Sequence, residues 1–391
     1  MDSTALPHSS SPNLHLTHPT TDECVKIWKE TFPLWGDSLT LPTYLSESQF
    51  LTTVPLAKDG GMTTWILVDK SLAPNQRPIL CSCETFRKRS VTSDANGTLK
   101  EAIIHGIASV FCPLQYRHRG YGARHMVELA KVLRGWQSEY GKPVGSVLYS
   151  DIGNLYYAKL GWKANGSNWH LHFAPVEMEW PARAQEIAVD NLGELCRRDE
   201  EMVRVAMEQQ DGSSKLRMVV LPDLGHMLWH ISKEEFACQY IFGKTPRVKG
   251  AMAGIPGQQV WVVWTHRYYK HPREQIASNV LYILRLVMEG DETANKAHGI
   301  QEKCQSMVAE ERVASLHAVL QAARLEAAKW KLDHVKLWEP SPLVQSLIAR
   351  YGPEYMRYDR QEESLASALW YDEDEVRKDV VWINNEHYAW C

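Results

Sequence analysis

Between residues 111 and 126 the chain reads FCPLQYRHRGYGARHM, with Arg117, Arg119 and Arg124 gathered round Gly120, Tyr121 and Gly122. An apolar run stops just before this stretch and a helical pattern begins inside it. At a strand-to-helix junction the amides of the turn and of the first helical residues converge, and a phosphate placed there is stabilised. Glycine suits such a turn because a Cβ would hold the anion away from the amides. Neighbouring arginines would add charge-assisted contacts to a pyrophosphate or a 3′-phosphate. The turn is not a nucleoside-triphosphate loop, since no Gly-Lys-Ser/Thr ends it. Nor is it Gly-x-Gly-x-x-Gly, since only Gly120 and Gly122 are present and they follow a hairpin.

The elements that must position this turn are readable on either side. ILCSCETFRKRSVT (79–92) and LKEAIIHGIASVFC (99–112) are strand-like runs flanking SDANGT, a strong hairpin signal. Met126, Leu129, Ala130, Leu133 and Trp136 follow at helical spacing up to a Gly141-Lys142-Pro143 stop. VGSVLYS (144–150) is a strand, DIGNLYYAKLG (151–161) a short helix capped by Ser150 or Asp151, and WHLHFAP (169–175) a closing strand. Upstream, Leu14–Thr17 is a short strand, Thr20 or Thr21 caps a helix to about Thr31, residues 33–47 form a loop with a helical turn, and WILVDK (65–70) is a strand. After a Pro-containing connector the plan repeats. Strands at 215–222, 258–270, 279–289 and 334–340 alternate with helices at 226–242, 313–330 and 342–352.

A hairpin leading into Arg117-x-x-Gly120-x-Gly122, a helix, a strand, then Tyr157-x-x-x-Gly161-Trp162 resembles the GNAT acyl-CoA N-acetyltransferase superfamily over about residues 14–175. The resemblance implies an α/β (α+β) fold with a mixed, mainly antiparallel twisted sheet, and acetyl-CoA as co-substrate. Arg117, His118, Arg119, Gly120, Tyr121, Gly122 and Ala123 would hold its pyrophosphate. The strand residues Val110, Phe111 and Cys112 would pair with the pantetheine arm. Tyr157 would protonate the departing thiolate, with Tyr156 beside it. SVLYSDIGNLYYAKLGW, in a two-part chain ending in WC, further resembles the fungal lysine N-ε-acetyltransferase family, which implies the side-chain amine of free lysine as acceptor and amino-acid metabolism as context. Ser150 and Gly153 depart from the residues usual at their places, and Ala108 stands where histone-type members carry a basic glutamate.

That missing glutamate matters chemically. A lysine amine has a pKa of about 10.4, so on the order of one molecule in a thousand is neutral at pH 7, and attack on a thioester needs the neutral form. His105 has a suitable intrinsic pKa but, by strand alternation, lies on the face opposite Ala108. The N-myristoyltransferases, a tandem arrangement of the same fold, use a terminal carboxylate as base. By that resemblance the Cys391 carboxylate at the end of VVWINNEHYAWC is a second candidate, as base or as anchor for the substrate ammonium.

A chain of 391 residues exceeds what one core usually serves. Residues 1–13 are expected to be a disordered N-terminus, 14–175 the acetyl-CoA-binding catalytic domain, 176–184 a linker, and 185–391 a degenerate GNAT-like half that closes the substrate cleft. This second half lacks the basic turn, having GDETANKAHGI instead, so no second acetyl-CoA is expected there. The aromatics of VWVVWTHRYY and the loop PLWGDSLTLP are candidates to line the cleft. Free lysine would need a cation for its carboxylate and an anion for its α-amino group. A net charge of −4 argues against nucleic-acid or anionic-membrane partners. No basic, apolar leader and no long apolar run is visible, and eight scattered cysteines suit a reducing compartment, so a soluble, cytoplasmic protein is expected. The sixteen histidines show no metal-ligand spacing, so no metal is expected. The rival readings are acetylation of another small amine or a protein lysine, and a non-catalytic acyl-CoA-binding regulator.

Overall fold

The structure, a computed structural model, describes residues 6–210, 215–274, 278–290, 306–372, 376–377 and 380–390. The first half runs β1 (Leu14–Thr17), α1 (Thr21–Trp35), α2 (Leu41–Leu51), β2 (Met62–Asp69), β3 (Cys81–Ser93), β4 (Leu99–Phe111), α3 (Tyr121–Leu133), β5 (Lys142–Ser150), α4 (Leu155–Lys159) and β6 (Lys163–Ala164). The start of α1 is fixed by a capping box: Thr20 Oγ1 accepts from the Glu23 amide while the Glu23 carboxylate accepts from the Thr20 amide. The β3–β4 turn is held by Asp94, whose carboxylate accepts from the amides of Asn96 and Thr98, with Gly97 at φ +80°. The loop expected over 33–47 is more helical than its Pro and Gly content implies. α1 extends to Trp35, and Pro42 is tolerated in the first turn of α2, where its missing N–H has no helical partner to lose.

The second half contains β7 (Trp169–Phe173), β8 (Gln185–Ile187), α5 (Leu192–Glu208), β9 (Leu216–Val220), α6 (Leu224–Phe242), β10 (Gly250–Ala253), β11 (Val260–Arg267), β12 (Val280–Met288), α7 (Ser306–Lys329), β13 (His334–Trp338), α8 (Pro342–Tyr351), β14 (Met356–Asp359), β15 (Leu365–Tyr371), β16 (Val376–Arg377) and β17 (Val380–Ile383). Both halves carry the same pairing scheme: an antiparallel hairpin, β3–β4 or β11–β12, whose second strand runs parallel to the next, β5 or β13.

The two sheets exchange strands. The strand at 169–173, expected to close the first sheet, pairs instead with β13 and β14 in the second. Its place beside β5 is taken by β15, from the far end of the chain. The sequence pattern gives each strand's apolar face but not which sheet will cover it. A shared core then lies between the sheets, where Ile104 and Val147 of the first meet Trp261, Val263 and Leu284 of the second, with Leu195 and Met227 from α5 and α6. Residues 6–13, expected to belong to a disordered N-terminus, have a defined course: Leu6 packs beside Tyr121 and Tyr116, next to the start of α3.

Candidate active site

The basic turn leaves β4 at Phe111 and enters α3 at Tyr121. Arg117 folds back so that its Nε donates to the Cys112 carbonyl at 2.9 Å, with its guanidinium 5.9 Å from the Phe111 ring. His118 and Gly120 take left-handed conformations (φ +59° and +82°), which turn the chain into the helix. Gly120 is the N-cap and supplies no side chain, so no side-chain acceptor from the cap occupies the first amides of α3. Those amides and the exposed His118 and Arg119 are what an anion would meet. Tyr156 leans over the turn from α4: a Cβ on Gly122 would sit 2.9 Å from its hydroxyl oxygen. The N-terminal segment crosses the same place. Tyr121 donates to the Pro7 carbonyl at 2.5 Å, Arg124 to the Ser9 carbonyl at 3.0 Å, and a Cβ on Gly120 would meet Ser9 Oγ at 2.8 Å. Val110, Cys112 and Tyr121 meet in one apolar group behind the turn. The cofactor residues expected from the sequence, through Ala123 in the first turn of α3, are therefore gathered at one end of β4.

Pairing of β4 with β5 stops at Ile107 opposite Leu148, and beyond it the two strands have no further partners in each other. Ser109, at φ +53°, marks the divergence. The residues around this gap divide cleanly by face. Cys83, Ile107, Leu148 and Tyr157 pack with Met126, Leu129 and Leu133 of α3. Phe86 and Ala108 pack on the other side with Leu51, Val54 and Trp229, beneath α2 and α6.

Tyr157 is buried on the α3 side, and burial, with Tyr156 next to it, raises its hydroxyl pKa. His105 lies on that side too: it pairs with Arg87, whose guanidinium stacks 3.5 Å over Tyr140 beyond α3. Burial lowers its pKa to about 4, against a contribution from Gln137, and the structure does not bring it to the face that Ala108 shares with α2 and α6. Ser150 does not cap α4; its hydroxyl donates to the Gly153 carbonyl, Asp151 accepts from the Ser364 amide, and Asn154 occupies the cap without a side-chain bond.

Glu84 stands directly opposite Ala108 across the hairpin. Its carboxylate accepts from Ser109 Oγ at 2.8 Å. Burial raises its pKa, with Ser109 and the positive charge of Lys233 pulling the other way. This residue was absent from the sequence reading, because its register depends on which pair closes the turn. Counting out from the Ser93–Leu99 pair that closes the hairpin, equal steps along both strands reach Glu84 and Ala108 together.

The second half closes this face with aromatic rings. Tyr149, on β5 beyond the gap, lies 5.9 Å from Trp338 and 6.0 Å from Trp382. Tyr282 stacks on His387 at 3.9 Å and its hydroxyl meets that of Tyr269 at 2.9 Å. The last described residues are tied between the sheets: Lys88 donates to the Ala389 carbonyl, Tyr388 to that of Val220, and Trp390 stacks 5.4 Å from His387. Cys391 lies outside the described residues. Among the described residues no three His, Cys, Asp or Glu side chains are grouped as metal ligands, and no helix is long and apolar enough to cross a membrane.

The family described as "LYC1 GNAT-like C-terminal domain" matches residues 168–391. No curated protein matches the chain. Among solved structures, two of Saccharomyces cerevisiae N-myristoyltransferase with bound myristoyl-CoA are similar. One has 8% identity, 93% of this chain and 82% of that one covered, and a TM-score of 0.50. The other has 9% identity, coverage of 96% and 83%, and a TM-score of 0.51. A GCN5-related N-acetyltransferase from Kribbella flavida has 15% identity, coverage of 91% and 72%, and a TM-score of 0.48. At such identities the likeness to the N-myristoyltransferase is one of fold: two GNAT-like halves in one chain.

Proposed function

This chain belongs to the LYC1-like GNAT family and is an acyltransferase, and from that premise we propose that it transfers an acetyl group from acetyl-CoA to the side-chain amine of free L-lysine. The observation that carries the reading is the pairing of an uncapped, glycine-started helix α3 with a half-buried carboxylate, Glu84, on the other face of the strand gap. The first amides of α3, which no cap side chain takes, hold the pyrophosphate with Arg117, His118 and Arg119, beside the N-terminal segment at Ser9. Val110, Phe111 and Cys112 offer a strand edge to the pantetheine arm, and Tyr156 covers it. Acetyl-CoA supplies an activated thioester carbonyl.

Glu84 takes a proton from the lysine ammonium, on the side walled by α2, α6 and the second sheet. A carboxylate whose pKa burial has raised is a better match for this task than an exposed one. The neutral nitrogen bonds to the carbonyl carbon, the carbon–sulfur bond breaks, and the departing thiolate receives a proton from Tyr157 on the α3 side. The second proton, shed by the nitrogen as the amide forms, passes through solvent to restore the Tyr157 hydroxyl, while Glu84 returns its own to water. Base and acid thus approach the gap from opposite faces. A panel of amines with acetyl-CoA, read by thiol release, tests the reading: lysine should be the best acceptor. Tight acetyl-CoA binding without release to any amine would instead favour a regulator. A second reading, a larger amine or a protein lysine, draws on a cleft of about 670 Å³ beside Asn154, Asn168 and Arg357; preference for a lysine-containing peptide would support it.

A further inference from the structure

The two segments singled out as possible cleft linings meet in one ion pair. Arg267, the last residue of β11, contacts Asp37 of the α1–α2 loop at 2.7 Å. Their side chains are 17% and 15% exposed, so the pair is largely withdrawn from water while still reachable. The Arg267 guanidinium lies 5.3 Å from the Tyr269 ring and 6.0 Å from Trp390. Rings flanking a guanidinium leave its edge free for a carboxylate. Its Nε is buried and has no hydrogen-bond partner among the described residues, a spare donor in a place where spare donors are costly. Asp37 is held at φ +50°.

A second pair lies alongside: Lys233 of α6 contacts Glu47 of α2 at 2.8 Å. Lys233 acts electrostatically on both Asp37 and Glu84, so one cation spans the Arg267–Asp37 pair and the carboxylate opposite Ala108. Both pairs therefore occupy the α2–α6 side on which Glu84 lies.

We propose that Arg267 and Asp37 form a clamp for the amino-acid end of the acceptor, Arg267 receiving the α-carboxylate and Asp37 the α-ammonium. The proposal rests on the reading above, in which the acceptor is free lysine and Glu84 is its base. A zwitterion entering the pair exchanges one Arg–Asp contact for two charge-assisted ones, with no net change in buried charge. An amine lacking either group leaves one member of the opened pair unmatched. That penalty is the basis of selection for a free amino acid over a polyamine or a lysine within a peptide.

The test is steady-state kinetics of the full chain with lysine, with 1,5-diaminopentane (no carboxylate) and with 6-aminohexanoate (no α-amino group). In the wild type, lysine should exceed both in kcat/KM by about a hundredfold. Arg267→Gln should collapse the lysine to 1,5-diaminopentane ratio, and Asp37→Asn the lysine to 6-aminohexanoate ratio, with acetyl-CoA affinity unchanged. Arg267→Lys, which keeps the charge but not the fork, should fall between. Norleucine, which has the amino-acid end without the side-chain amine, should compete with lysine in the wild type, so the test does not depend on a variant folding. Unchanged ratios in both variants, or failure of norleucine to compete where 1,5-diaminopentane does, would overturn the clamp and leave the pair as a tie between the halves. A wild type that acetylates other amines but not lysine would instead overturn the functional reading beneath it.

Discussion

The ends of β4 and β12 are the same point of a repeated plan with opposite chemistry. Each strand closes an antiparallel hairpin and runs parallel to the strand that follows. After β4 the chain turns through Gly120 into a helix with no capping side chain and exposed basic residues around it. After β12 it reaches Glu289, whose carboxylate accepts from the Gln259 amide at 2.8 Å and pairs with Arg198. A carboxylate of the chain itself already takes the local amide and cation that an incoming anion would need. Much of GDETANKAHGI lies outside the described residues, but Glu289 alone distinguishes the two ends. What the comparison teaches is that a duplicated architecture need not duplicate a site. On the reading proposed above, one half keeps the anion-binding end and the other contributes Tyr269, Tyr282 and Arg267 as walls.

The largest expected effect concerns the chemistry assigned to the first half. Glu84→Gln should lower kcat by about a thousandfold while leaving acetyl-CoA affinity intact. Because the base must be ionised, wild-type kcat/KM should fall as pH drops through the raised pKa of Glu84. The acid limb should lie above the ordinary glutamate value of about 4.3, and should vanish in the variant. Undiminished turnover would remove the division of labour drawn above.

Next in size is the contrast between the two strand ends. Gly120→Ala, which places a Cβ at φ +82°, should weaken acetyl-CoA binding by about tenfold or more. Arg312→Gln, at the β12 end where Arg312 donates to the Glu289 carbonyl, should leave it unchanged. Calorimetry should give one acetyl-CoA per chain; two would break the comparison outright. Tyr157→Phe should cost about tenfold in kcat at constant affinity, and an unaltered rate would leave the ring only a packing role.

The smallest effect separates the halves by pH. Burial pushes the Glu23 carboxyl up, but Arg77 and the Thr20 and Asn75 amides pull it down to about 2. Its folded pKa is below the unfolded one, so it stabilises the fold above about 4.3, and that contribution, of order 2 kcal/mol, is lost as pH falls toward 2. In the second half burial outweighs Arg285 and raises Glu386 to about 7. Its ionisation costs the fold, and the cost, full above about 7, is relieved as pH falls from 7 toward the unfolded value of about 4.3. Hydrogen exchange at pH 3 should therefore show α1 opening before β12; the reverse order would contradict this assignment.

Local signals were legible where chemistry is local. The Thr20 cap, the Asn-Gly hairpin, the glycine turn and the short helix with Tyr157 each depend on residues a few positions apart. Glu84 was legible only to within one residue: a two-residue turn at Asn96-Gly97 would set it opposite Ser109, and the wider turn closed by Ser93 and Leu99 sets it opposite Ala108. The exchange of β7 and β15 was not, since a buried strand carries no mark of the sheet that will accept it. Nor was the Arg267–Asp37 pair: each segment looked like a possible wall, and only the packing of the halves makes one the partner of the other.

The strand exchange also governs how the molecule is made. During synthesis, β5 emerges with a bare edge that stays unpaired until residues 365–371 leave the ribosome, most of a chain length later. Exposed edges of this kind invite association between nascent chains. A stop codon anywhere upstream of β15 leaves the first sheet without the strand that covers β5, and no fragment ending at the apparent domain boundary carries a finished sheet.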